Sequence, residues 1–81
     1  MDYTLRYHIE FADDPGGFDA NSVAAAMDGT VISTVRNFNG TGDLALIDID
    51  PSMRDDMESL LDYEATENES VIAWHTSILE A

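Results

Sequence analysis

Thr30-Val31-Ile32-Ser33-Thr34-Val35-Arg36-Asn37-Phe38 and Leu44-Ala45-Leu46-Ile47-Asp48-Ile49 are two β-rich runs joined through Asn39-Gly40-Thr41-Gly42. The first is dense in β-branched residues, and the second is partly continuous in apolar character, as strands are. Asn-Gly between such runs is a strong hairpin signal, because both residues accept the positive φ that a tight turn requires. A hairpin therefore occupies the middle of an 81-residue chain.

On the upstream side, Ala20 to Met27 reads as a short, alanine-rich helix. Asp19 is placed to cap it, Phe18 to pack against Val23, and Asp28-Gly29 to stop it. Before it, Tyr3, Leu5, Tyr7, Ile9 and Phe11 alternate with Thr4, Arg6, His8 and Glu10, which predicts a strand with one apolar face. Asp13-Asp14-Pro15-Gly16-Gly17 is the loop between the two. Downstream, Asp50-Pro51 opens a second helix with an acidic cap and proline at the first helical position. Met53, Met57, Leu60 and Leu61 make its buried stripe, and Arg54 and Glu58 are spaced for an i, i+4 pair. Glu64 to Ser70 reads as a polar connection, and Val71 to Leu79 as the last strand. The order β-α-β-β-α-β predicts a ferredoxin-like α+β fold, a two-layer sandwich with an antiparallel four-stranded sheet. Residues 1–81 are too few for a second core, so a single domain is expected.

Charge narrows the partners. Seventeen acidic residues against three arginines and no lysine give a net charge of −14. A hydrophobic content of 44% with clear strand periodicity argues against disorder, and the acids are spread along the chain instead of forming a tail. Unbalanced charge of this size destabilises a small domain in dilute buffer. In about 1 M salt the screening length falls to about 3 Å, and the cost largely disappears while the carboxylates keep the surface hydrated. The composition resembles that of proteins from halophilic archaea, which implies a salt-adapted cytoplasm. Met1-Asp2-Tyr3-Thr4-Leu5-Arg6 has no basic start followed by an apolar run, so no export signal is expected. No apolar run approaches the length of a membrane span. Direct nucleic-acid binding is not expected, since three arginines cannot build a basic face. With no cysteine there is neither a disulfide nor a thiolate metal site.

A two-layer fold leaves one sheet face without helices. With Leu5, Tyr7, Ile9 and Phe11 turned to the helices, the bare face takes Thr4, Arg6, His8 and Glu10. By the same alternation it receives Val31, Val35, Leu44, Leu46, Val71 and Ala73, an apolar set that predicts cover by a second copy. A register slip of one residue would put these six in the core instead. His8 and His75 fall on the first and last strands, which are neighbours in such a sheet. With Glu10 they form a candidate metal set, against the plainer alternative of two hydrogen-bonded surface histidines. Asp43, Asp48, Asp50, Asp55 and Asp56 lack the spacing of a calcium loop. No serine or threonine lies in a nucleophile elbow, so a catalytic role is not expected.

The opening of the chain, a strand followed by Asp13-Asp14-Pro15-Gly16, a helix, Gly29 and a β-branched strand, resembles the start of an ACT domain over residues 3–35. Gly17 and Asn21 depart from that family's pattern, where aliphatic residues are usual. The resemblance implies a homodimeric regulatory module that binds an amino acid or similar small ligand near Asp13, Pro15, Gly16 and Gly17. Three expectations stand side by side: a non-catalytic regulatory homodimer needing no cofactor, a module for another protein without a small ligand, and a small metal protein or enzyme using His8, His75 and Glu10.

Overall fold

Alternation along the first strand sets the two layers of the molecule. In a computed structural model, describing residues 3–12, 20–38, 42–67 and 69–80, the elements are β1 (Tyr3–Phe11), α1 (Ala20–Met27), β2 (Thr30–Phe38), β3 (Gly42–Ile49), α2 (Arg54–Thr66) and β4 (Val71–Glu80). A single 3-10 turn, Pro51–Met53, leads into α2. The four strands form one antiparallel sheet in the order β2-β3-β1-β4. Each βαβ half thus has a strand of the other half inserted between its own two, which is the ferredoxin-like split arrangement.

The two helices cover one face. α1 lies over β2 and β3, and α2 over β4. Leu5, Tyr7 and Ile9 of β1, Ile47 of β3, Val23 of α1, and Met57 and Leu61 of α2 are fully buried between the layers. α1 presents Ala20, Val23, Ala24 and Met27 to the sheet, and its alanines let so short a helix sit close. α2 buries Met57, Leu61 and Glu64, spaced i, i+4, i+7. It runs to Thr66, past the polar connection expected from Glu64, because Glu64 continues the buried stripe of the preceding turns. Asp50 caps the 3-10 turn, its carboxylate accepting from the Ser52 amide at 2.9 Å and from the Ser52 hydroxyl. Those two hydrogen bonds, the hydroxyl's first, hold the Asp50 carboxyl below its ordinary pKa.

Two bulges correct the expected face assignments. Phe11 stands opposite Val71 and Glu10 opposite Ala73, which leaves Ile72 as an extra residue in β4. Val31 stands opposite Ile47 and Ser33 opposite Leu46, which makes Ile32 the extra residue in β2. Each inserted residue reverses the alternation on one side of it. Val71 is therefore buried in the core at 4% exposure, and Val31 packs against the core, neither being on the bare face. The displaced residues take the exposure instead, Ile32 at 43% and Ile72 at 49%.

Candidate functional site

The face of the sheet opposite the helices is read directly from the strand register. His8 pairs with Leu46 and Glu10 with Leu44 across the β1–β3 boundary, and Arg6 with Asp48. Across the β1–β4 boundary, Glu10 pairs with Ala73, His8 with His75 and Arg6 with Ser77. On the outer side, Leu44 pairs with Val35. Four of the six apolar residues expected on this face, Val35, Leu44, Leu46 and Ala73, are brought together on it. Val35 is 48% exposed, and Leu44 and Leu46 are half-buried by their neighbours.

Two charged groups of the same face engage each other. Arg6 reaches across to Asp48 in a two-pronged pair, Nε to Oδ1 at 2.7 Å and Nη2 to Oδ2 at 3.0 Å. This geometry matches the planar guanidinium to the planar carboxylate and cancels one positive against one negative charge. Hydrogen bonding to Asp48 raises the Arg6 pKa above its already high value. The sequence hides this pair, because its members are 42 residues apart and meet only once β1 and β3 are in register.

His8 and His75 lie side by side in the register, their rings stacked with centroids 4.3 Å apart and planes 11° from parallel. The Ser77 hydroxyl is 3.5 Å from His8 Nε2. Burial, then the neighbouring His75 and Arg6, lowers the His8 pKa below the usual histidine value. A shallow depression of about 280 Å³ opens beside the pair, lined by His8, Glu10, Leu44, Ala73, Trp74 and His75. Glu10 does not complete a three-ligand set with the two imidazoles, and no group of three or more His, Asp or Glu placed to hold a metal occurs among the described residues. Of the five aspartates weighed as a cation cluster, Asp48 is committed to Arg6 and Asp50 to Ser52. Asp13, Pro15, Gly16 and Gly17, the expected ligand loop, lie outside the described residues, as do Phe18 and Asp19.

The buried layer carries a polar link between sheet and helix. The Tyr7 hydroxyl donates to Glu58 Oε2 at 2.8 Å, and Arg54 Nε donates to the same oxygen at 3.1 Å, the spacing expected from the sequence. Burial, with the hydrogen bond to Glu58 behind it, pushes the Tyr7 phenol up to about 12. Tyr7 also packs against Trp74, ring centroids 5.7 Å apart. These contacts fasten α2 to the sheet and lie on the far side from the bare face. No helix among the described residues is long and apolar enough to cross a membrane. Compared with protein families, curated proteins and solved structures, the chain matches none of them.

Proposed function

We propose that this chain is a non-catalytic regulatory or interaction domain of a salt-adapted cytoplasm, working as a homodimer joined through the helix-free face of its sheet. One observation carries the reading: a chain of net charge −14 keeps that face close to neutral. Among the described residues its only carboxylates are Glu10 and Asp48, and Asp48 is cancelled by Arg6. The acids of α2 (Asp55, Asp56, Glu58, Asp62 and Glu64) belong to the other layer. Two copies can therefore meet sheet to sheet with few carboxylates between them. Val35, Leu44, Leu46 and Ala73 supply apolar surface that gains by leaving water.

Size sets the expected strength. Four strands about 4.8 Å apart, each about nine residues of about 3.3 Å, make a face on the order of 550 Å² in projection. A stable interface buries about 800 Å² per partner, so this face gives a dimer of modest, concentration-dependent affinity. Light scattering in molar KCl at tens of micromolar protein tests it. The wild type is expected to be dimeric and the Leu46→Glu variant monomeric yet folded, since Leu46 is only half-buried. A monomeric wild type under those conditions removes the reading.

A second reading has its own observation. The edge strand β4 leaves Ile72 at 49% and Ile78 at 58% exposure, which favours a partner protein adding a strand there. Co-purification under high salt separates this from self-association. A small ligand such as an amino acid, suggested by the ACT resemblance, is tested by thermal shift in molar KCl, because a ligand bound only by the native state raises its melting temperature.

A further inference from the structure

His8 and His75 are 67 positions apart in the chain and direct neighbours in the sheet. On its other side His8 stands opposite Leu46, so the imidazole lies between a second imidazole and an aliphatic side chain. The charged groups of this face are few among the described residues. Arg6 and Glu10 flank His8 along β1, and Asp48 on β3 is taken up by Arg6. β4 adds the Ser77 hydroxyl, and Glu10, opposite Ala73, is diagonal to His75. The helices pack on the other face, so their carboxylates do not look onto the pair.

Uncharged, the two stacked rings extend the weakly polar surface of Leu44, Leu46 and Ala73. Protonated, the same surface carries an imidazolium beside Arg6, and a second proton is opposed by the first at a ring separation of 4.3 Å. Closing a second copy over the face strips water from that charge. Glu10 attracts the first proton, but only from a diagonal position on a solvent-facing side of the sheet. At about 1 M salt, with a screening length of about 3 Å, that attraction is weakened while the desolvation cost is not. The balance therefore favours the uncharged pair in the closed dimer.

We infer that proton uptake by the stacked His8–His75 pair opens the sheet-face dimer, so that association is tightest above neutral pH and weakens as pH falls through the histidine range. This rests on the bare face being the dimer contact. Sedimentation velocity in molar KCl at about pH 8 and about pH 5 tests it. The wild type is expected to associate at least about tenfold more weakly at the acid pH. The double variant His8→Gln, His75→Gln, which keeps hydrogen-bonding capacity but cannot titrate there, is expected to associate equally at both. Trp74 fluorescence checks that each protein is folded. If the double variant does not fold, the single His75→Gln variant, changed at an exposed position, is expected to show a reduced pH dependence. A wild type equally dimeric at both pH values, or a variant as pH-dependent as the wild type, overturns this inference and leaves the dimer standing. A wild type monomeric at both pH values overturns the dimer itself, and the inference with it.

Discussion

Gly29 ends the passage from α1 into β2, and its lack of a side chain has a visible cause. A Cβ built there would lie 2.7 Å from the Asp48 carbonyl oxygen and 2.8 Å from Ile49 Cγ2. The first of these is backbone of a central strand and cannot swing aside. Gly29→Ala is expected to cost about 1–3 kcal/mol, the usual range for overpacking. Its neighbour shows the opposite situation. The Gly29 amide donates to the Ala24 carbonyl at 2.8 Å and the Asp28 amide to the Ala25 carbonyl at 3.5 Å, the hydrogen-bond pattern of a Schellman cap. In that motif the left-handed position is usually glycine, but here Asp28 occupies it with φ of 53°. Asp28→Gly is expected to stabilise the fold by about 0.5–1 kcal/mol by relieving that conformation. Urea unfolding in molar KCl, followed by the fluorescence of the single tryptophan, measures both changes. Working in high salt keeps the lost carboxylate of Asp28 from dominating the comparison.

Each helix shows how far periodicity carries and where it stops. The Met57, Leu60, Leu61 stripe of α2 was legible because an amphipathic helix repeats within four residues, and Met57 and Leu61 are indeed fully buried, while Met53 ends the 3-10 turn before it. The end of α2 was not legible. Glu64, a charged residue type, is only 8% exposed and extends the helix to Thr66, because its position on the buried face outweighs its polarity. Met57 sits at the centre of the helix–sheet contact, so Met57→Ala should cost about 2–4 kcal/mol through lost burial and the cavity left behind. That is a large fraction of the 5–15 kcal/mol typical of a whole domain, and it should appear as a lower urea midpoint with little change in slope. A loss under about 1 kcal/mol would mean that α2 packs on the sheet more loosely than described. The strands differ from the helices in what disturbs them. One inserted residue, Ile32 or Ile72, moves Val31 or Val71 to the opposite face, and nothing in the composition of either strand announces it.

For the molecule as a whole, the governing quantity is a charge of −14 spread over a small fold. If the carboxylates are a salt adaptation, the melting temperature should rise steeply with KCl and then level off near about 1 M, where the screening length has dropped from about 10 Å to about 3 Å. A gain of about 2 kcal/mol in a domain of this size corresponds to a rise of about 10 °C or more, readable by circular dichroism. A melting temperature that stays flat across that range removes the salt-adapted reading. The chain by itself determined the order of elements, the apolar faces of β1 and α2, the capped turn at Asp50-Pro51 that leads into α2 and the surplus of carboxylates. These are set by preferences that act over a few residues or by composition alone. Only the tertiary structure decided that His8 stacks on His75, that Arg6 grips Asp48, that Gly29 lies against β3, and that Val31 and Val71 turn inward. Each depends on which residue of one strand stands opposite which residue of another, tens of positions away. That register follows from how the shared core closes and where the bulges fall, which no local pattern in the chain encodes.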